Sequence, residues 1–421
     1  MKIVRKFLLL FLIISLKTTL LFSQNNTDFF VDTTQHLTVS FGADYSYGSS
    51  VMNGKFLNKF LFGGRIERED KDAAYKSLSS NNRLGGDLNY QFNVEIPLDT
   101  LFRKPTISLV VGAENTEHID AVFTSDLFKF TFDGNKQFAG EFAEIGGTNY
   151  NHYQYQKINV GFVNYKYFDD KLAKEGVILS LIKGEQHEAI TIPRGSIFTQ
   201  ELGKEIDIDL NYSYNSSDTA NKGIKAFNGY GISTNLFTEI FLRNGDKMYL
   251  GVEDLGFIYW NKNSLDIASD STFHYDGIWI DNIFDLNDSL LNNISKDSIL
   301  NKITTTNQKN SYSIALPTAV NITYTKVING KWKMNVGVYH KILANYLPFI
   351  ATNFYYYFNK KIVAKAHLSY GGYGRLNTGL AFAKSFNKYI EVFIGTNNLE
   401  AFVAPNLAFN NSGFIGIKSY F

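Results

Sequence analysis

The chain has 421 residues, and its 41 basic and 40 acidic side chains leave a formal net charge of +1, which gives no reason to expect a nucleic-acid partner. It contains no cysteine, which excludes disulfides, thiolate metal sites, a cysteine nucleophile and lipid attachment at an amino-terminal cysteine. Aromatic residues make up 15% of the chain, and in the segments below they are interleaved with polar residues rather than gathered in continuous apolar runs.

The amino terminus is predicted to be a secretory signal peptide, residues 1–23. A basic segment precedes an apolar run from Phe7 to Leu16, and a small residue, Ser23, follows at a suitable cleavage point. A transmembrane anchor is the alternative, but Lys17 interrupts the apolar run before it reaches the length that spans a bilayer. We therefore expect residues 24–421 to be exported as a single β-barrel domain.

The rest of the chain alternates apolar and polar residues over segments of about 9 to 12 residues. The alternation is clearest at residues 37–45, 88–96, 206–214, 331–342 and 361–370. A period of two indicates strands with one apolar and one polar face, and the segment length is that of a tilted strand crossing a bilayer, ~9–11 residues. A soluble sandwich would have shorter strands and turns richer in proline. The sequence thus predicts an all-β fold, a transmembrane antiparallel β-barrel of about 14 strands in a range of roughly 12 to 16.

Three segments depart from this alternation. Between residues 248 and 259 the apolar face changes phase, which predicts a β-bulge near Glu253 and Asp254. Residues 283–303 carry Ile and Leu at helical spacing and are predicted to form a helical insert between strands. The segment 128–150 is rich in glycine and weakly periodic, which predicts a long loop or an inward fold.

The chain ends with an alternating strand in which Ile415, Ile417 and Phe421 share one face. A closed barrel pairs its last strand with its first, because lipid offers no partner to an unpaired backbone group. The ending is similar to the carboxyl-terminal signal of bacterial outer-membrane proteins, although Ser419 stands where an aromatic residue is common. These three residues are therefore predicted to be the assembly signal that the barrel assembly machinery reads.

The polar strand faces are expected to line the barrel lumen. Six charged or titratable residues on these faces are the candidate lumen residues: Asp207, Asp209, Glu239, Lys333, Lys365 and His367. In a water-filled pore such charges tune selectivity, whereas in a crowded barrel they pair with one another. Both interpretations remain open.

Two further polar stretches are interpreted as structural. The first is a single strand face that carries Glu114, Thr116, His118 and Asp120. His and carboxylate side chains could bind a metal, but the polar wall of a barrel lumen explains these residues equally well. The stretch 184–189, GEQHEA, lacks a second His at the spacing of a zinc helix and is predicted to be a loop. No metal-binding or cofactor-binding residue is predicted.

His367 and Ser369 are the nearest approach to a hydrolase pair. Residues two apart on a strand lie roughly 7 Å from each other, which is too far for a nucleophile–base contact of about 3 Å. The sequence has no nucleophile-elbow motif and no phosphate-binding glycine loop followed by lysine. No catalytic residue, and no enzyme activity, is therefore predicted.

Three stretches, in this order, resemble a family of bacterial outer-membrane β-barrels, domain-of-unknown-function family 5723: DGNKQFAGEF at 133–142, VEDLGFIYW at 252–260 and ALPTAVNITYTKVI at 315–328. The resemblance covers nearly all of the mature chain. It implies a barrel in the outer membrane, and brings no substrate, cofactor or catalytic residue with it. FadL-like channels are similar in strand number but carry an amino-terminal hatch, for which this chain has too few residues before its first strand. Barrels associated with type nine secretion are similar in general character.

Two functions fit these expectations. The first is an outer-membrane channel or transport protein for an unidentified solute, favoured by the charged inward faces. The second is a plugged barrel that anchors a surface or secretion-machinery partner, favoured by the bulky residues Phe237, Tyr339 and Tyr355 on the faces predicted to line the lumen. The expected partners are outer-membrane lipid, the barrel assembly machinery and a periplasmic or surface protein.

Overall fold

The computed structural model describes residues 29–30, 36–98, 106–168, 171–202, 205–242, 244–275, 309–342, 344–387 and 389–421. Its strands form one 18-stranded sheet. Fourteen of them close into an antiparallel barrel, which confirms the predicted fold. The predicted signal peptide, 1–23, and the predicted helical insert, 283–303, lie outside the described residues.

The strands, in chain order, are β1 (Thr38–Ser49), β2 (Asn82–Leu98), β3 (Ile107–Phe123), β4 (Phe142–Glu144), β5 (Thr148–Phe168), β6 (Lys171–Thr199), β7 (Ile206–Ser216), β8 (Gly229–Phe241), β9 (Lys247–Trp260), β10 (Leu265–Tyr275), β11 (Tyr312–Ala315), β12 (Ala319–Val327), β13 (Trp332–Lys341), β14 (Leu347–Asn359), β15 (Ile362–Gly372), β16 (Leu376–Phe386), β17 (Ile390–Thr396) and β18 (Asn410–Tyr420). All but β4, β7, β10 and β11 belong to the closed ring. The ring closes where β18 pairs with β1, with Tyr420 opposite Thr38. Closure leaves the ring without a free edge in lipid.

The described helices are α1 (Gly54–Phe62), α2 (Arg68–Tyr75), α3 (Ser125–Asp133) and α4 (Glu400–Val403), with a 3₁₀ helix at Asn135–Phe138. None of them is both long and apolar enough to cross a membrane. The segment 128–150, predicted to be a long loop or an inward fold, contains most of α3, the 3₁₀ helix, β4 and the start of β5.

The two ends of the barrel differ. At one end the strands are joined by short turns, such as residues 328–331 between β12 and β13. At the other end, long connections carry all of the described helices, including residues 50–81 and 397–409. We call these the short-turn end and the long-loop end. In membrane barrels of bacteria the short turns are periplasmic and the long loops extracellular.

The outer surface of the ring is apolar. On β15, Leu368 and Tyr370 point outward and are exposed, whereas Lys365 and His367 point inward and are buried. We call the exposed apolar residues on the outside of the ring the lipid-facing belt; it includes Ile158, Val160, Phe162, Val177, Leu179, Leu181, Ile232, Leu236, Leu255, Phe257, Ile322, Val336, Val338, Leu380, Ile394 and Ile417. A polar lumen inside an apolar belt is the arrangement of a membrane-spanning barrel.

A β-bulge interrupts β9 at the predicted position. Glu253 and Asp254 together stand opposite one residue of β8, Asn235, where the register shifts. Asp254 has a φ of 54°, which is uncommon for a residue other than glycine. Its backbone N–H donates to the Asn235 side-chain oxygen at 2.8 Å, and this bond holds the bulge in place.

The helices α1, α2 and α3 form an apolar cap over β1, β2 and β3. Phe56 and Phe128 meet in its centre, with ring centroids 5.9 Å apart. The buried carboxylate of Asp70 fastens α2 to α1 through Lys59 at 2.6 Å and Lys55 at 3.1 Å. Burial alone would raise the pKa of this carboxyl, but the two ammonium groups and a backbone N–H hold the pKa below its usual range.

Strand β6 continues beyond the ring and supports an outgrowth at the long-loop end. Its outer half pairs with β7, and β7 pairs with β10. The stretch 184–189, predicted to be a loop, lies inside β6, with Glu188 opposite His152 of β5. That prediction was wrong because the register of β6 shifts against β5 at Glu185, which has no partner there, and an added residue of this kind interrupts the alternation.

Candidate functional site

A series of polar contacts crosses the barrel interior towards its long-loop end. Lys341 ends β13, and Asp87 lies on β2, the opposite wall of the ring, with as many strands between them in one direction as in the other. Their ammonium and carboxylate groups are in direct contact, and both side chains are buried. This contact between opposite walls crosses the lumen.

His118 of β3 extends this contact along the wall. Its Nδ1 lies 2.7 Å from Asp87 and its Nε2 lies 3.1 Å from the carboxylate of Asp120. The Lys341 ammonium is 3.3 Å from the same imidazole. Each carboxylate therefore has a partner that is a cation or a ring nitrogen, as the burial of charge requires.

The connection between β13 and β14 folds into the lumen and completes the group. The backbone N–H of Asn345 donates to Asp120 at 3.0 Å, and its side-chain amide donates to Asn149 of β5 at 2.7 Å. We call the set Asp87, His118, Asp120, Lys341 and Asn345 the transluminal bridge.

Three tyrosines fill the space beside the transluminal bridge. Tyr339 and Tyr346 meet edge to face at 5.9 Å, and Tyr346 meets Tyr373 at 5.0 Å. The ring of Tyr373 lies so close to β2 that a Cβ on Gly85 would be 2.3 Å from it. Glycine is therefore required at this position for the ring to reach β2.

A second ionic group lies below the transluminal bridge. Lys157 of β5 is 3.0 Å from Glu114 of β3 and 2.8 Å from Asp254 of β9. The hydroxyl of Tyr155 donates to the same Asp254 at 3.3 Å. The bulge explains this group, because it adds a residue to β9 and turns the Asp254 carboxylate towards the lumen.

Four of the six candidate lumen residues lie on inward faces of ring strands. Glu239 pairs with Lys247 of the next strand. Lys333 lies over the Tyr357 ring at 4.7 Å, and Lys365 over the Phe414 ring at 4.8 Å. These contacts are with the wall itself, so the four residues are arranged as a packed interior rather than as an open ring of charge.

Asp207 and Asp209 lie elsewhere, which corrects their predicted position. Both are on β7, outside the closed ring, with side chains 38% and 45% exposed. Asp207 bonds His274 of β10, and Asp209 lies within 4.0 Å of Arg194. β7 alternates because it belongs to the outgrowth. The face that carries the two aspartates is partly exposed, and the other face packs on an apolar cluster that includes Ile192.

His367 and Ser369 do touch, contrary to the prediction from their spacing. His367 Nε2 is 2.9 Å from the Ser369 hydroxyl, and its Nδ1 is 2.7 Å from the side-chain oxygen of Asn353. The Asn377 amide also donates to the hydroxyl, at 3.2 Å. The prediction compared backbone positions, whereas the long imidazole side chain leans along the strand and bridges the gap.

We expect Ser369 to remain unlabelled by a fluorophosphonate probe in the folded barrel. Its hydroxyl is held by His367 and Asn377, and the residue is only 3% exposed, so no electrophile reaches it. In-gel fluorescence of the refolded protein would test this, with Ser369→Ala as the background control. Labelling that disappears in the variant would instead identify an activated serine.

The predicted assembly signal lies at the seam of the ring. The backbone N–H of Phe421 donates to the carbonyl of Leu37 at 2.9 Å, and the Phe421 side chain is exposed. Ile415 and Ile417 pair with Ala43 and Phe41 of β1. Recognition of these residues by the assembly machinery stays a prediction.

Two residues of the transluminal bridge, Asp87 and Asn345, went undetected in the sequence. Asp87 directly precedes the alternating segment 88–96 and continues its polar face, and Lys341 lies on the polar face of the segment 331–342, but nothing in the alternation pairs the two. Among the described residues, no group of three or more His, Cys, Asp or Glu is arranged to hold a metal ion.

Solved structures of similar architecture have little sequence in common with this chain. The TodX monoaromatic hydrocarbon channel, as the deltaS2S3 mutant, is 8% identical, with 96% of this chain and 95% of that chain covered at a TM-score of 0.42. A FadL homologue of Pseudomonas aeruginosa is 9% identical, with 91% and 89% covered at a TM-score of 0.38. No curated protein matches the sequence. A model for a family of unknown function, DUF5723, matches residues 29–397, and this protein belongs to that family.

Proposed function

We propose that this protein is a transport barrel of the bacterial outer membrane, held closed in this structure by the transluminal bridge. The observation that supports the proposal is the nature of the closure. It consists of polar side chains from the wall and from the connection that holds Asn345. Such contacts can be exchanged for contacts with water, whereas a permanently filled interior would gain as much or more from apolar packing.

The surroundings of the bridge favour a hydrophilic solute. Opening would expose the carboxylates of Asp87 and Asp120, the ammonium of Lys341 and the imidazole of His118, and the next group along the lumen is centred on Lys157. Pores select solutes by the charges and hydrogen-bonding groups that line them. An apolar solute would have to remove these groups from water at a high cost.

A second closure lies in the interior on the side of the short-turn end. The ring of Phe29 is buried among inward-facing residues, 6.1 Å from the ring of Tyr355 and 5.5 Å from that of Phe393. The Tyr357 hydroxyl donates to the Phe29 carbonyl at 2.8 Å. A solute path along the lumen would therefore require both the transluminal bridge and Phe29 to move.

Single-channel conductance of the refolded barrel tests the proposal. Lys341→Met keeps the length of the side chain but removes the charge, which leaves the buried Asp87 carboxylate without its ammonium partner. We expect longer or larger openings in this variant than in the unmodified protein, because the contact between the two walls is lost and the Asp87 carboxylate takes up water. Lys361→Met, in the exposed turn before β15, is the matched control and should behave as the unmodified protein.

The charge exchange Asp87→Lys with Lys341→Asp should restore the closed state, since the contact is re-formed with its charges reversed. Heat-modifiable migration on gels would establish that each variant is folded. Silence of all variants, with folding established, would refute the transport proposal. It would favour the alternative, a permanently plugged barrel that anchors a surface or secretion-machinery partner, and crosslinking in cells would then be the next measurement.

A further inference from the structure

The outer wall of the barrel carries a concave cleft with a volume of about 710 Å³. Its floor is a single row of apolar residues on neighbouring strands, in which Phe162 pairs with Val177, Val177 with Leu236, Leu236 with Val252 and Val252 with Val320. The row therefore runs across five strands, from β5 to β12. All five residues point away from the lumen.

The sequence explains why the wall is concave here. The bulge at Glu253 and Asp254 follows directly after Val252, and a bulged strand bends. On the inner face, the ring of Phe237 occupies the place of a side chain at Gly176, where a Cβ would lie 2.1 Å from it. The Phe237 and Tyr249 rings stack at 6.2 Å against this glycine-containing part of the wall.

The cleft is continuous with the lipid-facing belt. Leu179 and Leu181 of β6 lie on the same outward face as Val177, and Leu181 is 69% exposed. Ile232 and Leu255 continue the belt on β8 and β9. The medium that covers the cleft is therefore the hydrocarbon of the membrane, and an empty cleft would deprive its lining of van der Waals contacts.

The edge of the cleft nearer the short-turn end is polar beside Phe162, Val177 and Leu236, and becomes apolar beyond them, at Leu250 and Ile322. Asn164 stands opposite Glu175, and Glu175 opposite Thr238, in the row adjacent to the apolar one. Thr106 donates to the side-chain oxygen of Asn164 at 2.9 Å, which fixes the orientation of that amide. An occupant with an apolar chain and a polar group would thus lie with its polar group towards the short-turn end.

We propose that this cleft is a binding site for one membrane phospholipid, with an acyl chain along the row from Phe162 to Val320 and the head group at the polar edge. Its volume lies within the range of about 300–1,000 Å³ that is usual for small-molecule sites. The polar edge selects a lipid of the leaflet nearer the short-turn end. The site lies on the opposite face of the wall from the lumen, so it is independent of the proposed transport function.

Native mass spectrometry of the full-length barrel tests the site. The barrel would be stripped of lipid in detergent and then mixed with phosphatidylethanolamine. We expect one bound phospholipid in the unmodified protein. Val177→Trp fills the cleft and should weaken binding roughly tenfold or more. Leu380→Trp is the matched control, because it makes a similar change in the belt on β16, at the opposite wall, and should leave binding unchanged.

Three results would overturn the proposal. The first is that the unmodified barrel retains no phospholipid after delipidation and re-addition. The second is equal binding by the Val177 and Leu380 variants, which would mean that the bound lipid is distributed over the whole belt. The third is displacement of the phospholipid by hexadecane at the same concentration, because the head group would then contribute nothing.

Discussion

Replacing Lys157 by Met is expected to lower the free energy of unfolding by about 3–5 kcal/mol, the usual cost of removing one partner from a buried ionic group. The Lys157 side chain is 2% exposed and lies between Glu114 at 3.0 Å and Asp254 at 2.8 Å. Without the ammonium, two carboxylates would face each other inside the barrel. The remaining donors to Asp254 are neutral hydroxyls, those of Tyr155 and Ser233 at 3.3 Å.

Urea unfolding of the barrel in lipid vesicles, followed by tryptophan fluorescence, would measure this change. Lys361→Met is the control, because it removes the same charge from an exposed turn, and it should cost little. Adding Asp254→Asn to Lys157→Met should recover part of the loss by removing one of the unpaired carboxylates. A Lys157 variant as stable as the control would show that water reaches this group and screens it.

The ring could be predicted from the sequence because a bilayer imposes its own pattern. A strand with lipid on one side and a polar lumen on the other must alternate, as β15 does from Leu368 and Tyr370 outside to Lys365 and His367 inside. The bulge at Asp254 could be found for the same reason, since an added residue inverts the alternation. The alternation of apolar and polar residues thus shows on which face of its strand a residue lies.

The same pattern does not report what lies beyond each face, and this explains the misplacement of Asp207 and Asp209. A sheet with one face on an apolar cluster and one face in water alternates as a membrane strand does. Only the length of β6, which carries β7 outside the ring, separates the two cases. That length was obscured by the register shift at Glu185, which interrupts the alternation.

The transluminal bridge could not be predicted, because it joins opposite walls. Contact between Lys341 and Asp87 depends on the diameter of the barrel and on the stagger of its strands, which are properties of the closed ring. The alternation within β2 or β13 gives no information on the diameter of the barrel or on the stagger of its strands. The contact between His367 and Ser369 could not be predicted either, because it depends on the torsion angles of the His367 side chain.

The lipid-facing belt leads to the second prediction, that Val336→Arg destabilises the barrel by about 2–4 kcal/mol, the cost of an arginine near the middle of the bilayer. Val336 lies in the middle of β13, points outward and pairs with Tyr324 and Thr352. A charge there must be removed from water or must distort the bilayer. The neighbouring inward position, Asn335, is a poor control, because its amide donates to Thr325 and its side-chain oxygen accepts from Asn353.

Ile328→Arg, in the turn that joins β12 to β13, is the better control. It introduces the same side chain at an exposed apolar position of the same hairpin, but at the short-turn end, where the cost should fall to about 0–1 kcal/mol. Both variants would be unfolded with urea from vesicles of the same lipid. Equal losses would mean that depth has no effect and that β13 does not cross the hydrocarbon. A loss confined to Val336 would place the middle of this strand at the centre of the bilayer, because depth is then the variable that distinguishes the two positions.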